Sequence, residues 1–316
     1  MNEYSGSRRG CLKVSLVVGT YGPREAALSR FLDSVRGLPS DGVEVIVVDQ
    51  NPDERLAQVC SSPRIGVELT RMRSAPGLSR SRNLGVSAAR GDVVGFPDDD
   101  CWYYEQTLGV VGATFDQRPE ARVVCGRIVD EHGAPYLHDR WPSQPGWVSM
   151  PDTLLFLASA ALFVRRPALI DVGGFDEAMG VGAWHGSCEE LDVARRILRK
   201  GGRIWYEPGI VVGHPRAVAS GLGDPMVHRR RERSYARGLG YLLGKEGAGV
   251  LMGIRLVGVP LVKALVRLLM LDLGRSCDCQ QQAMGRWEGW RSGRGCTRRR
   301  LVGTGVGCDP ASGTNT

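Results

Sequence analysis

A chain of 316 residues, 42% hydrophobic and 24% charged, has the length for one large α/β domain or two smaller ones, and its composition excludes a disordered or fibrous protein. Its net charge of +7 is uneven: residues 214–316 hold 17 Lys/Arg against 7 Asp/Glu, a net of +10, whereas residues 1–213 hold 24 against 27. A nearly neutral body with a basic last third points to an anionic partner, either nucleic acid or membrane.

The first expected element is a strand over residues 13–18, ending at Gly19-Thr20-Tyr21-Gly22; Pro23 then suits the first position of a helix. Leu28, Phe31, Leu32 and Val35 recur at helical spacing and predict one apolar face running through Arg36. A second strand, 43–48, ends at Asp49, and a third is expected over 65–69. Residues 77–89 read as a loop feeding a helix that Gly91 stops. The strand over 92–96 is a short run of β-branched and aromatic residues, closed by Pro97 and three consecutive acids, Asp98, Asp99 and Asp100. This alternation predicts an α/β fold with a mostly parallel sheet flanked by helices. Residues 102–151 are rich in Trp, Tyr, Pro and Gly, including Tyr136, Trp141 and Trp147, whose rings suit sugar faces and loop packing alike. The apolar run 154–164 is too short for a membrane span and predicts a central strand. A helix is expected over 188–200, and a strand from 204 leads to His214.

Three strand ends carry polar side chains: Thr20 with Tyr21, Asp49, and Asp98 to Asp100. In α/β sheets ligands bind outside the carboxyl ends of strands, so these would line one crevice. Three adjacent acids repel one another unless a cation neutralises them, and such hard oxygen donors suit Mg²⁺ or Mn²⁺. Taken alone, the cluster reads equally as a solvated acidic turn. Neither a GxxxxGK[ST] loop nor a glycine-rich dinucleotide fingerprint is present.

Six segments in order carry a resemblance. They are Val14–Tyr21, Val45–Asp49, Gly77–Gly85, Phe96–Asp100, Val172–Glu177 and Glu189–Asp192. Together they resemble glycosyltransferase family 2, inverting enzymes with the nucleotide-sugar-binding fold called GT-A, over about residues 13 to 215. The resemblance implies that Asp49 contacts the nucleobase, with Thr20 and Tyr21 beside the nucleoside. It implies that Asp98 and Asp100 are the two acids of a DxD motif, Asp100 holding Mn²⁺ or Mg²⁺ and Asp98 lying near the ribose, diphosphate and metal, with Asp99 between them. Arg82 corresponds to the arginine of an Ala-Arg-Asn motif, here with Ser81 before it, and would face the nucleotide pocket. His214 would be a third metal or diphosphate contact. Trp184 and His185 fall in the segment 180–186 that would be the acceptor loop.

The implied reaction moves a sugar from a nucleotide diphosphate sugar to a hydroxyl of a glycan or glycolipid, and needs a base for the hydroxyl proton. Stepping about 100° per residue from Glu189, the apolar residues of the 188–200 helix span roughly 40° to 200°, and Glu190 falls inside that arc. Asp192 lies on the opposite arc with Arg195 and Arg196 at i+3 and i+4, and reads as a surface ion-pair residue. An inward carboxylate is costly without a task or a partner. Glu190 therefore reads either as the end of a capping box begun by Ser187 or as the catalytic base, with His185 in reserve. The resemblance favours the base.

Residues 248–271 are strongly apolar, but Arg255, Lys263 and Arg267 interrupt them on an arc of about 120° and Pro260 is expected to kink or break a helix. With the arginines of 229–237 and 286–300, they read as helices lying in the interface of an anionic leaflet; an ordinary amphipathic core helix is the alternative. The expected organisation is a disordered N-terminus (1–12), a GT-A domain (13–215), a basic amphipathic helical extension (216–295) and a disordered tail (296–316). Nine cysteines without two CxxC pairs exclude a zinc ribbon, while the CxC of Cys277 and Cys279 leaves metal binding open. No apolar signal-peptide core is seen near the start, so a reducing, cytoplasmic setting is expected, peripheral on the inner face of the plasma membrane and in bacterial surface polysaccharide or glycolipid synthesis. Two rivals stand beside this reading. A nucleotidyltransferase of related fold would ordinarily show a longer, more basic loop after the first strand. A nucleic-acid-binding protein would use the basic third, yet no helix-turn-helix, RNP or zinc-finger pattern accompanies it.

Overall fold

The computed structural model describes residues 12–35, 42–62, 67–137, 141–216 and 224–301, with side chains described up to 296. It divides into two compact units. They are not the sequential blocks expected: the second unit takes Pro76–Arg80 and Phe175–Val193 together with the chain after Arg216.

The first unit is built on one sheet. β1 (Val14–Thr20), α1 (Glu25–Ser34), β2 (Val43–Asp49), α2 (Ala57–Ser61), β3 (Glu68–Arg73), α3 (Leu78–Ala88) and β4 (Val93–Gly95) come first. Then follow β5 (Trp102–Tyr103), α4 (Thr107–Gln117), β6 (Ala121–Val129), β7 (Gly146–Trp147), α5 (Thr153–Phe156), β8 (Leu162–Arg165) and α6 (Arg166–Asp171). α7 (Glu189–Arg199), which belongs to this unit from Ala194 on, and β9 (Arg203–Gly213) complete the series. The sheet order is β3-β2-β1-β4-β8-β6-β9-β5, with β7 also on β9. β3, β2, β1 and β4 are parallel neighbours, β6 and β9 are parallel, and β8 runs against both β4 and β6. A mixed, mostly parallel sheet flanked by helices is thus what folds. Its core is the apolar inner residues of these strands, such as Leu16, Val47, Val93 and Phe163, under Leu28, Phe31 and Leu32 of α1.

Several expected elements shift. Pro23 precedes the helix, which opens at Glu25 because Arg24 is still outside helical geometry. The third strand is Glu68–Arg73, set by its register on β2 (Glu44 opposite Glu68, Asp49 opposite Arg73); the expected residues 65 and 66 lie outside the described residues. The aromatic stretch 102–151 holds α4 and the nine-residue β6, which is buried along most of its length. The apolar run 154–164 is not one strand. α5 and a 3₁₀ turn at Ser159–Ala161 take most of it, and only β8 pairs in the sheet. A short apolar run fixes burial but not its backbone form, which neighbouring strands decide.

The second unit contains three long helices, α8 (Pro225–Lys245), α9 (Val250–Leu269) and α10 (Leu273–Leu301). Asp224 caps α8, its side chain accepting from the Met226 amide at 2.8 Å. α8 and α10 approach backbone to backbone. A Cβ at Gly289 would run into the Arg237 carbonyl, at Gly293 into that of Tyr241, and at Gly240 into that of Arg286. Glycines four apart on facing helices make this approach possible. Pro260 does not break α9. It removes the amide that would bond the Leu256 carbonyl, and Arg286 Nη1 donates to that carbonyl at 3.3 Å instead. α10 continues to Leu301, past the expected boundary at 295, and residues 302–316 lie outside the described residues, as do 1–11. Cys277 and Cys279 sit two apart on α10, about 200° around the helix, so one metal cannot take both from this helix.

Candidate active site

β1, β2 and β4 are parallel, so their carboxyl ends open on one edge. Thr20 closes β1 directly opposite Asp49, which closes β2, and the three acids follow β4. β9 delivers His214 after Gly213, where any Cβ would run into the Trp102 indole; glycine there lets β5 pair against β9.

His214 draws the acids together. Its Nε2 lies 3.2 Å from Asp100 Oδ1 and 3.8 Å from Asp98 Oδ2. Nδ1 lies 2.8 Å from the Pro215 carbonyl, to which it donates because a carbonyl only accepts. In the neutral ring this leaves the Nε2 lone pair facing the two carboxylates. Tyr136 stacks on the ring with centroids 5.4 Å apart. Arg24 Nη1 reaches Asp100 Oδ2 at 3.2 Å, Arg30 donates to the Asp100 carbonyl at 2.9 Å, and Arg82 Nη2 is 3.5 Å from Asp98 Oδ1. Arg82 is 1% exposed, with its guanidinium 5.8 Å from the centre of the Phe96 ring. Asp99 takes the Thr20 hydroxyl at 2.7 Å.

The three acids do not share one electrostatic state. Burial raises Asp98, and it raises Asp99 to about 6. Burial pushes Asp100 up too, but the hydrogen bond that His214 Nε2 donates once the ring is protonated holds it below the ordinary value. Burial alone would lower His214; Asp100 raises it instead. An acidic turn lying in solvent would not hold its acids against His214, Arg82 and the Thr20 hydroxyl as these are held. Among the described residues, no group of three or more His, Cys, Asp or Glu is gathered as a ready metal site. Two carboxylates and an imidazole lone pair within 3.2–3.8 Å are nonetheless donors that Mn²⁺ or Mg²⁺ accept, so the residues fit such an ion in kind.

Asp49 is fully buried and its oxygens are already shared out. Oδ1 accepts from the backbone and side-chain amides of Asn51, each at 2.9 Å; Oδ2 accepts from Arg71 at 2.6 and 3.1 Å and Arg73 at 3.0 Å. Burial works against its charge, and the bonds from Arg71 and Asn51 outweigh burial and depress it. Sequence reasoning missed Arg71 and Arg73; their spacing of two at the end of a strand was the available signal. Tyr21 stands exposed beyond Thr20.

In the second unit, Trp184 is 53% exposed, with the Arg237 guanidinium 3.7 Å from its ring centre. His185 is buried: Nδ1 meets the Ala178 carbonyl at 2.9 Å, Nε2 meets Ser292 Oγ at 3.2 Å, and the ring stacks on Tyr241 at 3.9 Å. Burial lowers its pKa. With both ring nitrogens spent inside the protein, His185 serves packing, not the acceptor, and it is a poor reserve base. Glu190 is half-buried on the first turn of α7, after Cys188 at a left-handed φ of 68°. The Ser187 amide donates to the His185 carbonyl and its hydroxyl to the Tyr235 carbonyl. Asp192 is not a surface residue: it is 1% exposed and lies 2.8 Å from Lys245 Nζ, which is also 2.6 Å from Asp176. Arg195 turns instead to the Met150 carbonyl and Thr153, each at 2.8 Å, and Arg196 to the carbonyls of Val172 and Gly174. Asp192 and Arg195 on the polar arc are thus buried, which a single-face pattern does not anticipate.

Residues 15–172 match the family profile described as Glycosyl transferase family 2. The chain belongs to that family. It is 30% identical over 205 residues to the pre-mycofactocin glycosyltransferase of Mycobacterium tuberculosis, covering 60% of this chain and 40% of the relative. It is 29% identical over 217 residues to the glucosyl-dolichyl phosphate glucuronosyltransferase of Haloferax volcanii, covering 64% and 69%. The chain thus spans about two fifths of the length of the mycobacterial relative. Among solved structures, S. aureus TarS 1-349 in complex with UDP-GlcNAc superposes with a TM-score of 0.56 at 16% identity, covering 89% of this chain and 92% of that one. GalNAc-T7 with UDP, GalNAc and Mn²⁺ gives 0.53 at 16%, covering 76% and 51%. The family 2 chain therefore has the GT-A fold, with further helices after it.

Proposed function

We propose that this family 2 chain is a metal-dependent, inverting glycosyltransferase moving a sugar from a nucleotide diphosphate sugar to an acceptor hydroxyl. The observation that carries this reading is the meeting of Asp98, Asp100 and the His214 Nε2 lone pair at the sheet edge where Thr20 and Asp49 also end. Asp98, Asp100 and His214 would hold Mn²⁺ or Mg²⁺, whose charge when bound offsets that of the leaving diphosphate. Arg82 adds a fixed cation at Asp98, and Thr20 orients Asp99. Asp49, clamped by Arg71 and Arg73, shapes the nucleoside end, with Tyr21 at its mouth. Glu190 takes the proton of the acceptor hydroxyl, and Trp184 offers a ring face to the acceptor. Attack by that hydroxyl opposite the departing diphosphate inverts the anomeric centre in a single displacement.

A glycan or glycolipid acceptor in bacterial cell-surface synthesis fits the lipid-linked sugar named for the Haloferax relative. The reading places the protein in the cytoplasm, peripheral on the inner face of the plasma membrane; among the described residues no helix is long and apolar enough to cross a membrane. Nucleic acid is not the favoured partner, because Arg233 and Arg237 are committed to Glu288, and Arg229 faces Asp278 at 3.7 Å. The test is donor hydrolysis and thermal shift with a panel of nucleotide sugars, UDP-linked ones first, with and without Mn²⁺. Asp100→Asn should stay folded and lose metal-dependent turnover. Full activity of that variant in EDTA would sink the metal assignment, and a panel without any shift would sink the donor.

A further inference from the structure

Helix α9 is apolar on its inner and its outer face. Gly253, Leu256, Pro260 and Ala264 form the buried stripe, with Leu256 against Trp290 and Leu243. About 60° to 180° around the helix from Gly253, Leu251, Ile254, Leu261, Val262, Leu265 and Leu269 are all exposed. No charge falls on that arc; Arg255, Lys263 and Arg267 occupy the shoulder beyond it, at roughly 200° to 320°.

A second observation comes from the turn after the helix. The Leu271 amide donates to Leu268 and the Asp272 amide to Arg267, which is the six-to-one closure that usually has glycine at the left-handed position. Leu271 holds that position, at φ 58°, and its side chain is 85% exposed. The left-handed backbone is unfavourable for a leucine, and packing within the described protein returns little to so exposed a side chain. Leu269, Met270 and Leu273 beside it are exposed as well.

We infer that the outer face of α9 and the tip Met270–Leu273 together form a surface that inserts into an anionic lipid bilayer, the tip entering deepest. This rests on the membrane-peripheral part of the reading above and names the elements that carry it. Charge selects the occupant. Between residues 248 and 275 the acid count is one, Asp272, against Arg255, Lys263, Arg267 and Arg275. A second copy of the same face would bring like charges together, whereas anionic headgroups would meet the shoulder while acyl chains take the leucines.

The test is flotation of the full chain with phosphatidylglycerol-containing vesicles and with pure phosphatidylcholine vesicles, at low and high salt. Binding should favour the anionic vesicles and weaken with salt. Leu269→Asp combined with Leu271→Asp should lower the partition coefficient by about tenfold or more, from the area withdrawn and the charge introduced. Leu271→Gly should bind several-fold more weakly yet melt higher than the parent chain, a pairing that a purely structural turn would not give. Donor hydrolysis by the variants in solution should equal that of the parent chain, so loss of transfer chemistry and loss of membrane docking are read separately. Equal flotation of the double aspartate variant overturns the inference. So does a chain that ignores both vesicles, or one that is dimeric without lipid and becomes monomeric on Leu269→Asp.

Discussion

Lys245→Met tests how firmly α8 is tied to the segment Phe175–Val193 within the second unit. Lys245 Nζ lies 2.6 Å from Asp176 and 2.8 Å from Asp192, and its side chain is 11% exposed. The Asp192 side chain is 2% exposed and that of Asp176 23%. Removing one partner of a buried ion pair costs about 3–5 kcal/mol, because the remaining charge stays desolvated. The partial exposure of Asp176 puts the expectation at the lower end, about 3 kcal/mol. Urea denaturation of the full chain measures it. A second substitution, Asp192→Asn, in the Lys245→Met background removes the more buried of the two charges left behind and should recover part of the loss, and the double-mutant cycle isolates the Lys245–Asp192 coupling. A loss below about 1 kcal/mol, or no recovery in the double variant, would refute the reasoning. The same geometry makes truncation after the first half of α8 a poor test of membrane attachment. It would strip Tyr241 from His185 and Lys245 from Asp176 and Asp192, disturbing the loop itself.

Glu190→Gln keeps the shape of the side chain and removes a base: turnover should fall by about 10²-fold or more, with nucleotide-sugar binding and melting temperature nearly unchanged. Near-native turnover would move the role to another group. Asp99 has a folded pKa of about 6 against an ordinary 3.8, so the stability it lends as a neutral acid is full below about pH 4 and lost as pH rises through 6. Without metal, melting temperature should therefore be lower at pH 7 than at pH 5 by an increment that Asp99→Asn abolishes; an equal increment in the variant would assign it elsewhere.

The sequence by itself determined the parallel half of the sheet and the polar ends of its strands. Each of β1, β2 and β4 is a short apolar run that stops at polar side chains, and those signals are local. Thr20, Asp49, Asp98 and Asp100 were legible for the same reason, since parallel strands of one sheet must open their carboxyl ends on one edge. What local pattern could not decide was anything fixed by a distant partner. β8 lies in a run that could equally be helix or strand, and its place between β4 and β6 makes it a strand. Arg71 and Arg73 join the site only through the register of β3 on β2. Asp192 looked solvent-facing because its cation, Lys245, is 53 residues along the chain, and His185 looked available because Tyr241 and Ser292 are farther still. Facing glycines form the contact surface of α8 and α10, and Pro260 stays within a helix because Arg286 satisfies the carbonyl it orphans. Periodicity tells which side of an element is apolar. Only the folded chain supplies the buried partner that lets a charge, a glycine or a proline sit on that side without cost.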